Sequence, residues 1–82
     1  MKLTDDQRQI LGEMANLRKY PADNPWACAN WIAEGCRHHY DTPWASARLP
    51  GLAKRGLIER GDRGWWKITA AGRAALSAKE GE

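Results

Sequence analysis

Apolar residues recur along this chain at helical spacing, interrupted by one pair of short β-type runs. Ile10, Leu11, Met14 and Leu17 form the first stripe. Thr4-Asp5-Asp6-Gln7 precedes it as a capping box: Thr4 caps, Gln7 answers, and two acids sit at the positive helix end. The spacing predicts a helix from Asp5 to about Lys19, weakened at Gly12 by about 1 kcal/mol relative to Ala. Tyr20-Pro21-Ala22-Asp23-Asn24 ends it with turn chemistry. Asn24-Pro25 then signals a second helix, with Asn as cap and Pro in the first turn. Ala27, Cys28, Trp31 and Ile32 form its apolar face, Gly35 stops it, and a polar loop runs from Gly35 to Asp41. Thr42-Pro43 repeats the start signal for a third helix. Ala45, Leu49, Leu52 and Ala53 point inward, and Trp44, Ala47, Gly51 and Lys54 lie on the other side, flanked by Arg48 and Arg55. Pro50 lacks an amide and clashes with the Ser46 carbonyl, which predicts a kink or break near Leu49.

After Gly56 the period changes. Leu57-Ile58-Glu59-Arg60 and Trp65-Trp66-Lys67-Ile68, joined by Gly61-Asp62-Arg63-Gly64, read as a β-hairpin. Thr69 caps a short last helix through Gly72, Ala75 and Leu76. A lone hairpin is marginal in water, so this one is expected to pack on the helices through Ile58, Trp66 and Ile68. The predicted fold is mainly α with a small β-hairpin. The element order is that of a winged helix-turn-helix: a three-helix core, a two-stranded wing and a short C-terminal helix. Residues 1–79 make one domain, and residues 80–82 are a frayed tail.

At 82 residues there is room for one modest core and little for a large catalytic cleft. No apolar run reaches the roughly 20 residues of a membrane span. The acidic start, Thr4-Asp5-Asp6, has no secretory character, which implies a cytoplasmic protein. The formal net charge of +3 hides an asymmetry. Met1 to Asp41 carries five Lys/Arg and six Asp/Glu, whereas Thr42 to Lys79 carries eight Lys/Arg and two Asp/Glu. A one-sided cationic field attracts polyanions.

Cys28 and Cys36, placed on one helix, would stand about 12 Å apart along its axis, too far for a disulfide. Cys36-Arg37-His38-His39 matches no familiar zinc spacing, so no metal or cofactor is called for. His38 and His39 are read as exposed, adding positive charge below pH 7. No Ser-His-Asp arrangement, paired carboxylates or phosphate-binding glycine loop is present, and the chain reads as a binding module, not an enzyme. Trp31 and Trp66 fall on core positions. Trp26, Trp44 and Trp65 either cover a flank of the core or meet a partner. Arg60 has Glu59, Asp62 or a neighbouring strand as alternative partners to a polyanion, and Arg73 and Lys79 read as solvated.

Leu49, Leu52, Gly56, Leu57, Ile58 and Arg60, followed by Trp66, Ile68, Thr69 and Gly72, resemble a motif of the winged-helix transcription regulators of the MarR and PadR type. There a recognition helix reads roughly L-x-x-L-x-x-x-G-L-I-x-R, and an aromatic-x-L-T-x-x-G stretch follows the wing. The likeness covers about Thr42 to Leu76, and Ser46 falls where that family often carries a phosphate-contacting Ser. The resemblance implies binding of double-stranded DNA, with the third helix in the major groove and the wing beside it. Lys54, Arg55, Arg63 and Lys67 would then meet phosphates. Arg48 would reach a base edge or a phosphate, Ala47 a thymine methyl, and Trp44 would lie near the reading face. Neutralising four to six phosphates would give a log K against log salt slope of about −4 to −5. A palindromic operator would require a homodimer. The alternative is a phage- or plasmid-encoded inhibitor or adaptor, such as an anti-defence protein, gripping a protein partner through Trp44 and Trp65.

Overall fold

The computed structural model describes residues 3–36 and 41–77. Arg37, His38, His39 and Lys79 lie outside them, so the expectations for the histidines and for Lys79 rest on the sequence alone.

Helix α1, Asp5–Met14, opens on the expected capping box. The Gln7 amide donates to Thr4 Oγ1 at 3.2 Å, and the Thr4 amide donates to Gln7 Oε1 at 3.0 Å. Ile10, Leu11 and Met14 are fully buried. The helix stops at Met14, well short of Lys19. The side chain of Asn16 accepts from the Arg18 amide at 3.0 Å, and its carbonyl accepts from the amides of Lys19 and Tyr20. These local bonds compete with helix continuation. Leu17 is therefore turned outward, 57% exposed, and Tyr20 takes a place in the core instead.

The second helix also departs from expectation. Residues Ala27–Cys28 form a short strand, β1, and helix α2 covers only Ala29–Gly35. The capping signal at Asn24-Pro25 loses to tertiary pairing: Ala27 lies opposite Trp66 and Cys28 opposite Trp65 on strand β3, Trp65–Ile68. The changed register alters the burial pattern. Ile32 and Ala33 are buried, while Trp31, expected in the core, is 46% exposed.

Helix α3, Thr42–Lys54, runs without a break through Pro50. Pro50 and Ser46 both lie on the solvent side, where a carbonyl deprived of its amide partner can be hydrated. Ala45, Leu49 and Leu52 are fully buried, as their spacing predicts. The helix ends in a Schellman motif. Gly56, at φ +77, donates to the Ala53 carbonyl at 2.9 Å, and Leu57 donates to the Leu52 carbonyl at 3.1 Å.

Strand β2, Ile58–Arg60, pairs antiparallel with β3 in the register Ile58–Ile68, Glu59–Lys67 and Arg60–Trp66. The sheet has three strands in the order β1-β3-β2, not the two expected, because β1 adds to the free edge of β3. Between β2 and β3 a 3-10 turn, Asp62–Gly64, places Arg63 at φ 56 and Gly64 at φ +82. Helix α4, Ala70–Ser77, begins at Thr69, whose Oγ1 accepts from the Gly72 amide at 3.1 Å and donates to the Gly56 carbonyl at 2.7 Å. One contiguous apolar cluster joins all four helices and the inner sheet face, with Ile58, Trp66 and Ile68 contributing as expected. The architecture is thus mainly helical with a small three-stranded antiparallel sheet. No helix among the described residues is long and apolar enough to cross a membrane.

Candidate functional site

The solvent side of α3 is set by the burial of Ala45, Leu49 and Leu52 on its other side. Pro43, Ser46, Ala47, Pro50, Gly51 and Lys54 occupy it, all exposed; all but Lys54 have small or compact side chains, and there is no carboxylate among them. Nothing stands within 4 Å of the position a Cβ would take at Gly51. The Ser46 hydroxyl donates to the Thr42 carbonyl at 2.9 Å, so its proton is used within the helix while its oxygen can still accept. A second body can approach this helix backbone closely.

The cations expected at this surface divide into two groups. Lys54 and Arg55 at the end of α3, and Arg63 at the hairpin tip, are exposed and make no ion pair among the described residues. Arg48 and Lys67 are engaged within the chain. Arg48 Nε donates to Asp6 Oδ2 at 2.9 Å, its Nη1 donates to the Trp44 carbonyl at 2.8 Å, and its guanidinium lies 4.9 Å from the centre of the Trp44 ring. Lys67 Nζ is 3.3 Å from Glu59 Oε2 and 5.0 Å from the centre of the Trp26 ring. Trp44 is half-buried against the core. Of the partners the sequence offers it, Arg60 takes the neighbouring strand: its guanidinium stands 5.8 Å from the centre of the buried Trp66 ring, directly opposite on β3. Arg73, read as solvated, is half-buried and reaches the Ala15 carbonyl at 3.4 Å.

The sequence reading missed what the outer sheet face assembles. Trp26 immediately precedes β1; Ala27 is buried in the core, and Trp26 lies on the outer side, where its ring meets the Lys67 ammonium. There it lies against Gly61. Trp65 meets Trp31 of α2 edge to face, with ring centroids 5.1 Å apart and planes at 69°. These three indoles, with Asn24 and Asp62, line a concavity of about 520 Å³. The available signal was the alternation Trp26, Ala27, Cys28, which a strand reading would have split between two faces.

At the other end of α2, Glu13 accepts from Lys19 Nζ at 2.8 Å and from the Tyr20 hydroxyl at 3.1 Å. Burial, then the Glu13 carboxylate, holds the Tyr20 phenol well above its ordinary range. The same causes push the Cys36 thiol up to about 11, so at neutral pH it stays protonated and unreactive. Cys28 and Cys36 are both free. Comparison with protein-family models, with curated proteins and with solved structures returned no match.

Proposed function

We propose that this chain is a small winged helix-turn-helix protein that binds double-stranded DNA and acts as a transcriptional regulator in the cytoplasm. In this reading α3 enters the major groove and the β2–β3 hairpin is the wing, as the MarR- and PadR-type motif implies. One observation carries the reading. The solvent side of α3 has no carboxylate and no aromatic side chain, and three exposed cations that make no ion pair among the described residues, Lys54, Arg55 and Arg63, lie at its end and at the hairpin tip. A smooth helix face permits close approach to a groove, and free cations hold phosphates. Ala47 and Gly51 offer little hydrogen bonding to bases, so affinity here comes mostly from the backbone and from shape.

The test is fluorescence anisotropy on a labelled duplex across a salt series. Three engaged cations predict a log K against log salt slope of about −3. The Lys54→Glu/Arg55→Glu double variant should flatten it to about −1. No binding at low salt would overturn the proposal. A second reading, a protein partner held through the exposed aromatic surface, is favoured by Trp65 and Trp31 in the outer concavity. Trp44, its other expected anchor, instead keeps the company of Arg48. A partner captured from lysate after nuclease treatment, by a protein that fails to bind duplex, would select it.

A further inference from the structure

We propose that the concavity between α2 and the outer sheet face is a receptor for the guanidinium of an arginine carried by a protein partner. The lining holds three indoles: Trp31 and Trp65 form an edge-to-face corner at 5.1 Å, and Trp26 lies against Gly61. Indole faces carry negative potential and attract cations. Trp26 already receives one from within the chain, the Lys67 ammonium at 5.0 Å. That charge is balanced by Glu59 at 3.3 Å and does not belong to the lining. Among the described residues the one charged group in the lining is Asp62, which is exposed and makes no ion pair there. Asn24 completes the lining.

Charge complementarity selects the occupant. A phosphate would meet Asp62 as a like charge. A guanidinium is planar and weakly hydrated, stacks on aromatic rings, and offers a fork of donors that a carboxylate accepts in pairs. An ammonium is compact and strongly hydrated, and it would have to shed more water to lie between indoles. Trp and Arg are also among the residues enriched at the energetic centres of protein interfaces. The site is separate from the α3 face: Lys54, Arg55 and Arg63 do not line it, and it stands whether or not α3 binds DNA.

The experiment titrates the full chain, without DNA, with N-acetylarginine N-methylamide, and follows the indole N–H resonances. The chain has five Trp, which supply their own controls. Resonances of Trp26, Trp31 and Trp65 should move in the millimolar range, and those of Trp44 and Trp66 should stay. The citrulline counterpart, equal in shape but uncharged, should bind about tenfold more weakly, and the lysine counterpart severalfold more weakly. Asp62→Asn changes an exposed residue without touching the core; it should erase most of the preference for arginine over citrulline. Equal binding of citrulline would overturn the proposal. So would an unchanged preference in the Asp62→Asn variant, or the absence of shifts at Trp26, Trp31 and Trp65.

Discussion

Gly72 packs against the backbone carbonyl oxygen of Leu57, so closely that a methyl group on its Cα would overlap that oxygen. The carbonyl has little freedom to retreat. It accepts the Thr69 amide at 3.1 Å and stands where α3 gives way to β2. A glycine three residues after the Thr69 cap is thus required by the approach of α4 to the sheet. Gly72→Ala is expected to lower stability by about 2–3 kcal/mol, read as a fall in the urea midpoint. Gly12→Ala is the contrasting case, since nothing stands within 4 Å of that position in α1. It should raise stability by about 1 kcal/mol. Equal effects at the two positions would refute the packing argument.

Thr69 joins two turns with one hydroxyl, accepting from Gly72 and donating to the Gly56 carbonyl. Thr69→Val keeps the shape and removes both bonds. The expected cost is about 1–2 kcal/mol, with Thr69→Ser recovering most of it in the same denaturation assay.

Arg48 is held by Asp6 across the α1–α3 contact, with both side chains partly exposed, 35% and 42%. An ion pair this wet contributes less than about 1 kcal/mol, so Asp6→Asn should barely change stability. It should, however, release Arg48 toward an incoming phosphate and steepen the salt dependence of duplex binding by about one. An unchanged slope would mean that Arg48 is a structural residue only.

Charge reversal at the hairpin tip tests the phosphate assignment of Arg63. Arg63→Glu should weaken binding to duplexes of unrelated sequence alike and reduce the slope by about one. A loss confined to one base position would contradict that assignment.

Alkaline pH should weaken the fold through Tyr20 and Cys36. Each is held neutral in the folded chain by burial and by the Glu13 carboxylate. For Cys36 the folded value is about 11 against an ordinary 9.0. Between those values the unfolded chain loses its proton first, so the folded state binds more protons and stability falls as pH rises. Below pH 9 this contribution is intact. Urea midpoints should therefore decline from about pH 9 upward, and Tyr20→Phe should flatten part of the decline above pH 10. Midpoints flat to pH 11 would contradict the burial of both groups.

Much of the fold was legible because its signals are local. The Thr4–Gln7 capping box, the inward set Ala45, Leu49 and Leu52, the change of period after Gly56 and the cap at Thr69 each depend on a few neighbouring residues. The second helix was misread because a distant partner outbid local preference, whereas α1 ended early through local bonds at Asn16. Residues 27–28 pair with a strand nearly forty positions later, and no cap at Asn24 reports that partner. Pro50 was tolerated because its side of α3 faces solvent, which depends on how the helix packs.

The candidate site divides in the same way. Hydrophobic spacing and cap chemistry alone placed the third helix, the hairpin and a positive excess from Thr42 onward, because those are properties of short stretches and of composition. Which cations are free was a tertiary decision: Asp6, forty-two residues before Arg48, neutralises it, whereas Lys54, Arg55 and Arg63 find no such partner among the described residues. The aromatic concavity was wholly tertiary. Trp26, Trp31 and Trp65 come from a loop, a helix and a strand, and only the packing of α2 and the hairpin around one core brings their rings together.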